Sequence, residues 1–147
     1  MPNTKPWLSK SAETLRNQIN AAFPSRIKSS DGWIADLRHQ QAGKSNHIPD
    51  PKTGCVRAID IDSRLDDQKG ISAYLADQLR QYGKNTGRIA YVIHLGQIAS
   101  PILNWKWRRY RGFSPHNHHI HISFKSSADN DSSKFVGIPL LGSTNEK

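Results

Sequence analysis

The sequence predicts an α+β fold, one small antiparallel sheet covered by helices on one side, in a single domain. Three observations predict it. The chain has 147 residues, of which 35% are hydrophobic, enough for one modest core. Two stretches repeat apolar residues every three or four positions, as amphipathic helices do. Three others are short, apolar, rich in β-branched residues and bounded by turn residues, as strands are. In order they read α, β, α, β, β, which suits helices gathered on one face of a sheet.

Leu15, Ile19, Ala22 and Phe23 fall at helical spacing over residues 10–23, with Ser9 or Ser11 as the cap and Pro24 as the stop. A polar loop from Ser25 follows, and Trp33 and Ile34 bring the chain back to the core. The segment "HIPDPKTG", 47–54, is turn chemistry. It leads into "CVRAIDI", 55–61, a short buried strand. Ile71, Leu75, Leu79 and Tyr82 mark a second helix, ending at Gly83. "RIAYVIHL", 88–95, is the strongest strand; "GQ" is a tight turn and "IAS" begins a hairpin partner. After a loop rich in Trp and Arg, "HHIHISF" is the last strand, with Ile120, Ile122 and Phe124 on one face. The folded domain is therefore expected over 1–125, with 126–147 as a partly disordered tail, polar apart from "FVGIPLL".

The single cysteine, Cys55, excludes an internal disulfide and a multi-cysteine metal site. No apolar run reaches the roughly 18 residues of a membrane span. The opening "MPNTKPWLSKSAETLRNQ" lacks the apolar stretch of a secretory signal, so a cytosolic protein is expected. The net charge of +9 favours weak, non-specific binding of polyanions. Its densest cluster is "KWRRYR", 106–111, interleaved with Trp105, Trp107 and Tyr110.

"SPHNHHIHIS", 114–123, holds four of the seven histidines. In an extended strand His119, His121 and Ser123 share a face, opposite Ile120, Ile122 and Phe124, so two imidazoles can converge on one small object. Asp60 lies inside an apolar strand, where a carboxylate is costly unless a cation or donor meets it. Parity places it with Val56, Ala58 and Asp62, while Arg57, Ile59 and Ile61 face the other way. His47 comes from the turn-rich loop. A His, an Asp and a His would leave a fourth position open on zinc, which is the catalytic arrangement.

"SNH", then "GCVRAIDI", and much later "HIHIS" resemble the zinc peptidases that cut bacterial peptidoglycan. These are the D-Ala-D-Ala carboxypeptidase and L-alanyl-D-glutamate endopeptidase family, whose fold the hedgehog signalling domain shares. Across roughly residues 10–124 the chain is similar to small phage lysins, through "SSDGWIADLRHQQAGKSNHIPDPKTGCVRAIDI" and "YVIHLGQIASPILNWKWRRYRGFSPHNHHIHIS". The resemblance implies a hedgehog/DD-peptidase-like fold and one Zn2+ ion held by His47, Asp60 and His121. His119 would handle protons beside the metal, with His116 as the second candidate. The chain departs from the family in a longer gap between His47 and Asp60. It also lacks a carboxylate just before the final histidine, so an imidazole must serve as base.

The implied activity is hydrolysis of a peptide bond in the peptidoglycan stem peptide, of the L-alanyl-D-glutamate endopeptidase or D-Ala-D-Ala carboxypeptidase type. The implied bearer is a monomeric endolysin that collects in the host cytoplasm and reaches the wall through a separate pore protein. Arg38, Arg57 and Trp107 are candidates for substrate contacts, although the parity of Arg57 suits a structural role. Ser45 and Ser123 are expected to brace ligands. His39, His94 and His118 are assigned to surface or core. Two other readings compete: a catalytically silent zinc-binding module of the same fold, and a metal-dependent nuclease.

Overall fold

A computed structural model describes residues 5–33, 47–110 and 118–142. The first helix, α1 (Lys10–Ala22), is capped by Ser9, whose hydroxyl accepts the Ala12 amide. Ser11, the other candidate, is buried and reaches the Ala128 and Asp131 carbonyls instead. The helix stops at Phe23, before Pro24. Ahead of it, β1 (Trp7–Leu8) pairs in parallel with β2 (Cys55–Val56). The expected strand over 55–61 is therefore two strands: Arg57 separates β2 from β3 (Ala58–Asp62).

The second helix, α2, spans Ile71–Asn85 and runs through Gly83. This glycine does not stop the helix. A Cβ there would lie 2.5 Å from the Trp105 indole, so the missing side chain lets Trp105 pack against the helix backbone. Next, β4 (Ile89–His94) and β5 (Gln97–Ala99) form a hairpin in which His94 faces Gln97. Its two-residue turn is Leu95–Gly96, one position earlier than expected. Both residues have positive φ, 52° and 76°, as a type I′ turn requires. The short β6 (Arg108–Arg109) and the long β7 (His119–Phe124) complete a five-stranded antiparallel sheet in the order β3-β7-β4-β5-β6. The last strand in sequence thus lies between β3 and β4.

Both helices pack on one face of this sheet. Ala12, Leu15 and Ile19 of α1 and Leu75, Ala76 and Leu79 of α2 join Ile59, Ile61, Val92, Ile120, Ile122 and Phe124 in one buried core. The molecule is α+β with two described helices and a small antiparallel sheet. No described helix is long and apolar enough to cross a membrane.

The expectation of a polar tail over 126–147 fails for residues 126–142. Phe135 and Ile138 are fully buried in the same core as the helices. Arg88 fastens this segment. Its guanidinium donates to Ser11 Oγ at 2.8 Å and to the Asp131 carbonyl at 2.9 Å, and lies 3.8 Å from the centre of the Phe135 ring. Two buried apolar side chains and one buried cation thus incorporate a stretch whose first half is mostly polar.

Candidate metal centre

The face of the sheet opposite the helices carries the polar side chains. Asp60 of β3 stands directly across from His121 of β7, and Asp62 across from His119. Strand alternation that sends Ile59, Ile61, Ile120 and Ile122 into the core sends these four to the other side. His47 arrives from outside the sheet. Its position is set by the outer edge of β3, where Gly32 and Asp60 exchange backbone hydrogen bonds of 3.1 and 2.8 Å. That bridge aims the Trp33 carbonyl at His47, whose Nδ1–H donates to it at 2.9 Å.

The segment leading to Trp33 is itself clamped. Arg26 grips both oxygens of Asp31. Asp31 Oδ1 accepts the Asp62 amide at 2.7 Å, and Asp62 Oδ2 accepts the Ser30 amide at 2.9 Å.

Three imidazoles surround one oxygen. His47 Nε2 is 3.2 Å, His121 Nδ1 3.1 Å and His119 Nε2 3.5 Å from Asp60 Oδ1. The donor atoms of His47, Asp60 and His121 all lie within 4.8 Å of one another, a group that can hold a metal ion. The hydrogen-bond partners favour a cation. Because a carbonyl only accepts, His47 carries its hydrogen on Nδ1 and, when neutral, turns the Nε2 lone pair toward the carboxylate. His121 Nε2 lies 2.8 Å from Ser123 Oγ, a hydroxyl that can accept or donate; where it accepts, the Nδ1 lone pair also faces Asp60. Two lone pairs pointed at a carboxylate oxygen repel unless a proton or a metal ion lies among them. The donor set of two imidazole nitrogens and one carboxylate oxygen therefore fits a divalent cation.

The electrostatics of the pocket agree. Burial acts to raise the Asp60 carboxyl, but hydrogen bonds and charge from His121 and His47 overcome it and hold the group well below the usual carboxylate range. Burial pushes His121 and His119 below the ordinary imidazole value despite Asp60. At His47 burial is outweighed by Asp60 and the Trp33 carbonyl, and the net shift is upward. Neutral His119 and His121 beside an ionised Asp60 are protonation states a metal ion needs, while His47, shifted upward, would have to give up a proton to bind one.

The remaining predicted residues divide. Ser123 is at the centre, fully buried beside His121. Arg57 is elsewhere, its guanidinium bonded to both oxygens of Asp129 at 2.7 Å and to Asp50 at 2.9 Å. Trp107 packs at the margin of the core, with its indole N–H donating to Asp77 at 3.0 Å. Asp62, on the site face, has both oxygens held by Arg64, and its pKa is lowered to about 2: burial raises it, but Arg64 and the backbone amides of Arg64 and Ser30 outweigh that. His94 is buried; its Nδ1–H donates to the His119 carbonyl and its Nε2 accepts from Ser72, both at 2.9 Å. His118 is exposed. Arg38, His39, Ser45 and His116 lie outside the described residues.

Tyr91 is the site residue that the sequence reading missed. Its ring stacks on His121, with centroids 5.4 Å apart and planes within 10°, and its hydroxyl bonds to Ser123. Burial chiefly raises its pKa. The available signal was a tyrosine in an otherwise apolar strand, since a buried phenol needs a polar partner. No protein-family model, curated protein or solved structure matches the chain.

Proposed function

We propose that this chain is a zinc-dependent peptidase acting on the stem peptide of peptidoglycan. The observation that carries the reading is the convergence of His47 Nε2, Asp60 Oδ1 and His121 Nδ1 on the face of the sheet opposite the helices. Their separations of 3.2 and 3.1 Å are close to the roughly 3.3 Å edge of a tetrahedron with bonds of about 2.0–2.1 Å, as zinc prefers. The resemblance of "SNH", "RAIDI" and "HIHIS" to wall-cutting zinc peptidases supplies the substrate class. Bound zinc would polarise the scissile carbonyl and make water a nucleophile near neutral pH.

The chain's own residues supply the rest. His47, Asp60 and His121 would hold the ion, with the Trp33 carbonyl fixing the His47 tautomer and Ser123 bonded to the far nitrogen of His121. His119, kept neutral by burial, has Nε2 on the same side of the sheet, 3.5 Å from Asp60 Oδ1. It accepts the proton of the attacking water there and returns it to the leaving amine nitrogen. His94 steadies this strand end by holding the His119 carbonyl.

A second reading, a zinc-stabilised module without catalysis, is favoured by one observation: Asp62, the other carboxylate on this face, is committed to Arg64 and is no base. Purified peptidoglycan digested by zinc-loaded protein, with mass spectrometry of the fragments, separates the two. Wild type is expected to release new peptide termini. His121→Ala should lose zinc and activity together, while His119→Ala should keep zinc and lose activity. A fully zinc-loaded wild type that releases nothing leaves the silent module.

A further inference from the structure

Resting on the peptidase reading, we propose that Arg108 is a specificity-determining residue that binds a substrate carboxylate several residues away from the scissile bond. The strand registers place it. Asp60 faces His121, His121 faces Ile93, Ile93 faces Ile98, and Ile98 faces Arg108. Directly opposed residues share a face of the sheet, so one straight row leads from the metal centre to the outer strand. At about 4.8 Å per strand, Arg108 stands roughly 14 Å from His121.

The charge at the end of this row is available. Arg26, Arg57, Arg64, Arg80 and Arg88 are each paired with a carboxylate. Arg108 is exposed and has no such partner among the described residues. Between it and the centre the row is apolar, with Ile93 buried and Ile98 half-buried. Tyr110, two positions on, has its amide bonded to the Gly96 carbonyl at 2.8 Å, and Tyr91 stacks on His121. Arg108 thus lies on the same face of the sheet as the metal centre. Arg109, its neighbour, alternates to the opposite side.

The spacing selects among substrates. An extended peptide advances about 3.4 Å per residue, so 14 Å, less the reach of an arginine, corresponds to roughly two to four residues. A carboxylate on the residue released next to the cut bond falls short of Arg108. A carboxylate two or more residues beyond reaches it, and a guanidinium holds it in a bidentate pair. The row therefore suits internal cleavage of an acidic peptide better than removal of a single terminal residue.

The test uses full-length zinc-loaded protein and a synthetic stem tetrapeptide, L-Ala-γ-D-Glu-L-Lys-D-Ala, with a free or an amidated C-terminus. Binding is read by calorimetry in the His119→Ala background, and kcat/KM in the His119 enzyme. The free acid is expected to bind about 10- to 100-fold more tightly than the amide, the range of a charge-assisted hydrogen bond. Arg108→Ala should abolish that preference, Arg108→Glu should reverse it, and Arg109→Ala should preserve it. A reversed preference cannot arise from misfolding, which would weaken both ligands alike. Wild type that cleaves the free acid while Arg108→Ala binds and cleaves it equally well overturns the role of Arg108 and spares the peptidase. Wild type that neither binds nor cleaves either peptide overturns both.

Discussion

The two faces of the sheet are made by the same strands and follow opposite rules. On β7, Ile120 and Ile122 are fully buried under the helices, while His119 and His121, one residue away each time, meet Asp60 on the other side. The helix-covered face gains stability simply by leaving water, at about 25 cal/mol per Å2 of apolar surface. The other face gathers a carboxylate and three imidazoles whose desolvation is unfavourable unless each finds a partner. Stability and chemistry are thus separated by a single step along the strand, and damage to one face should leave a different signature from damage to the other.

The largest effect should come from the covered face. Ile122→Ala is expected to cost about 2–5 kcal/mol, lowering Tm by roughly 5–15 °C while the folded fraction keeps its metal affinity. His121→Ala, next along the strand, should do the reverse: thermal unfolding of the metal-free protein shifts less than for Ile122→Ala, but zinc binding weakens by more than the ~100-fold loss of an outer support. Equal loss of Tm in the two variants would erase the distinction between the faces. Ser123→Ala sharpens it further, because Ser123 holds a ligand rather than the metal. Competition with a chelator should show zinc affinity reduced about 10- to 100-fold.

Acid provides the mildest probe. Burial holds His119 and His121 below 6.5, so the unfolded chain takes up those protons first as pH falls. Metal-free protein should therefore lose stability as pH drops below about 6.5. It should lose more below the ordinary carboxylate value of 3.8, because Asp60 is held beneath it. His47 opposes this trend: its raised value adds stability in acid that disappears as pH rises through its folded-state pKa. Denaturant midpoints of metal-free wild type and His119→Ala at pH 7 and pH 5 should show a shallower acid loss in the variant.

Much of the candidate centre was legible because alternation is local. A carboxylate inside "RAIDI" and two histidines two apart in "HIHIS" announce a polar face whatever lies across from them. What fixes His47 was not legible. Its tautomer depends on the Trp33 carbonyl, which is aimed by a backbone bridge between Gly32 and Asp60, and no local pattern reports such a pairing. Gly83 misled for a related reason: glycine ends a helix only where no tertiary contact needs the space, and Trp105 needs it. Phe135 and Ile138 stand in "FVGIPLL", an apolar run that Gly137 and Pro139 break before it shows a helical or strand period, so its place in the core follows from tertiary packing. Strand order was equally hidden, since nothing in "HHIHISF" says that it lies between β3 and β4.

That placement has a consequence for how the molecule is made. During synthesis β3 and β4 emerge long before β7, yet they have no pairing with each other and must wait for the strand that joins them. His121, which completes the group that could hold a metal ion, rides on that same strand, and Phe135 and Ile138 follow it into the core. A nascent chain halted before residue 119 has neither a closed sheet nor a third ligand. Assembly of the centre and closure of the fold are one late event, so an unfinished chain carries no partly working site.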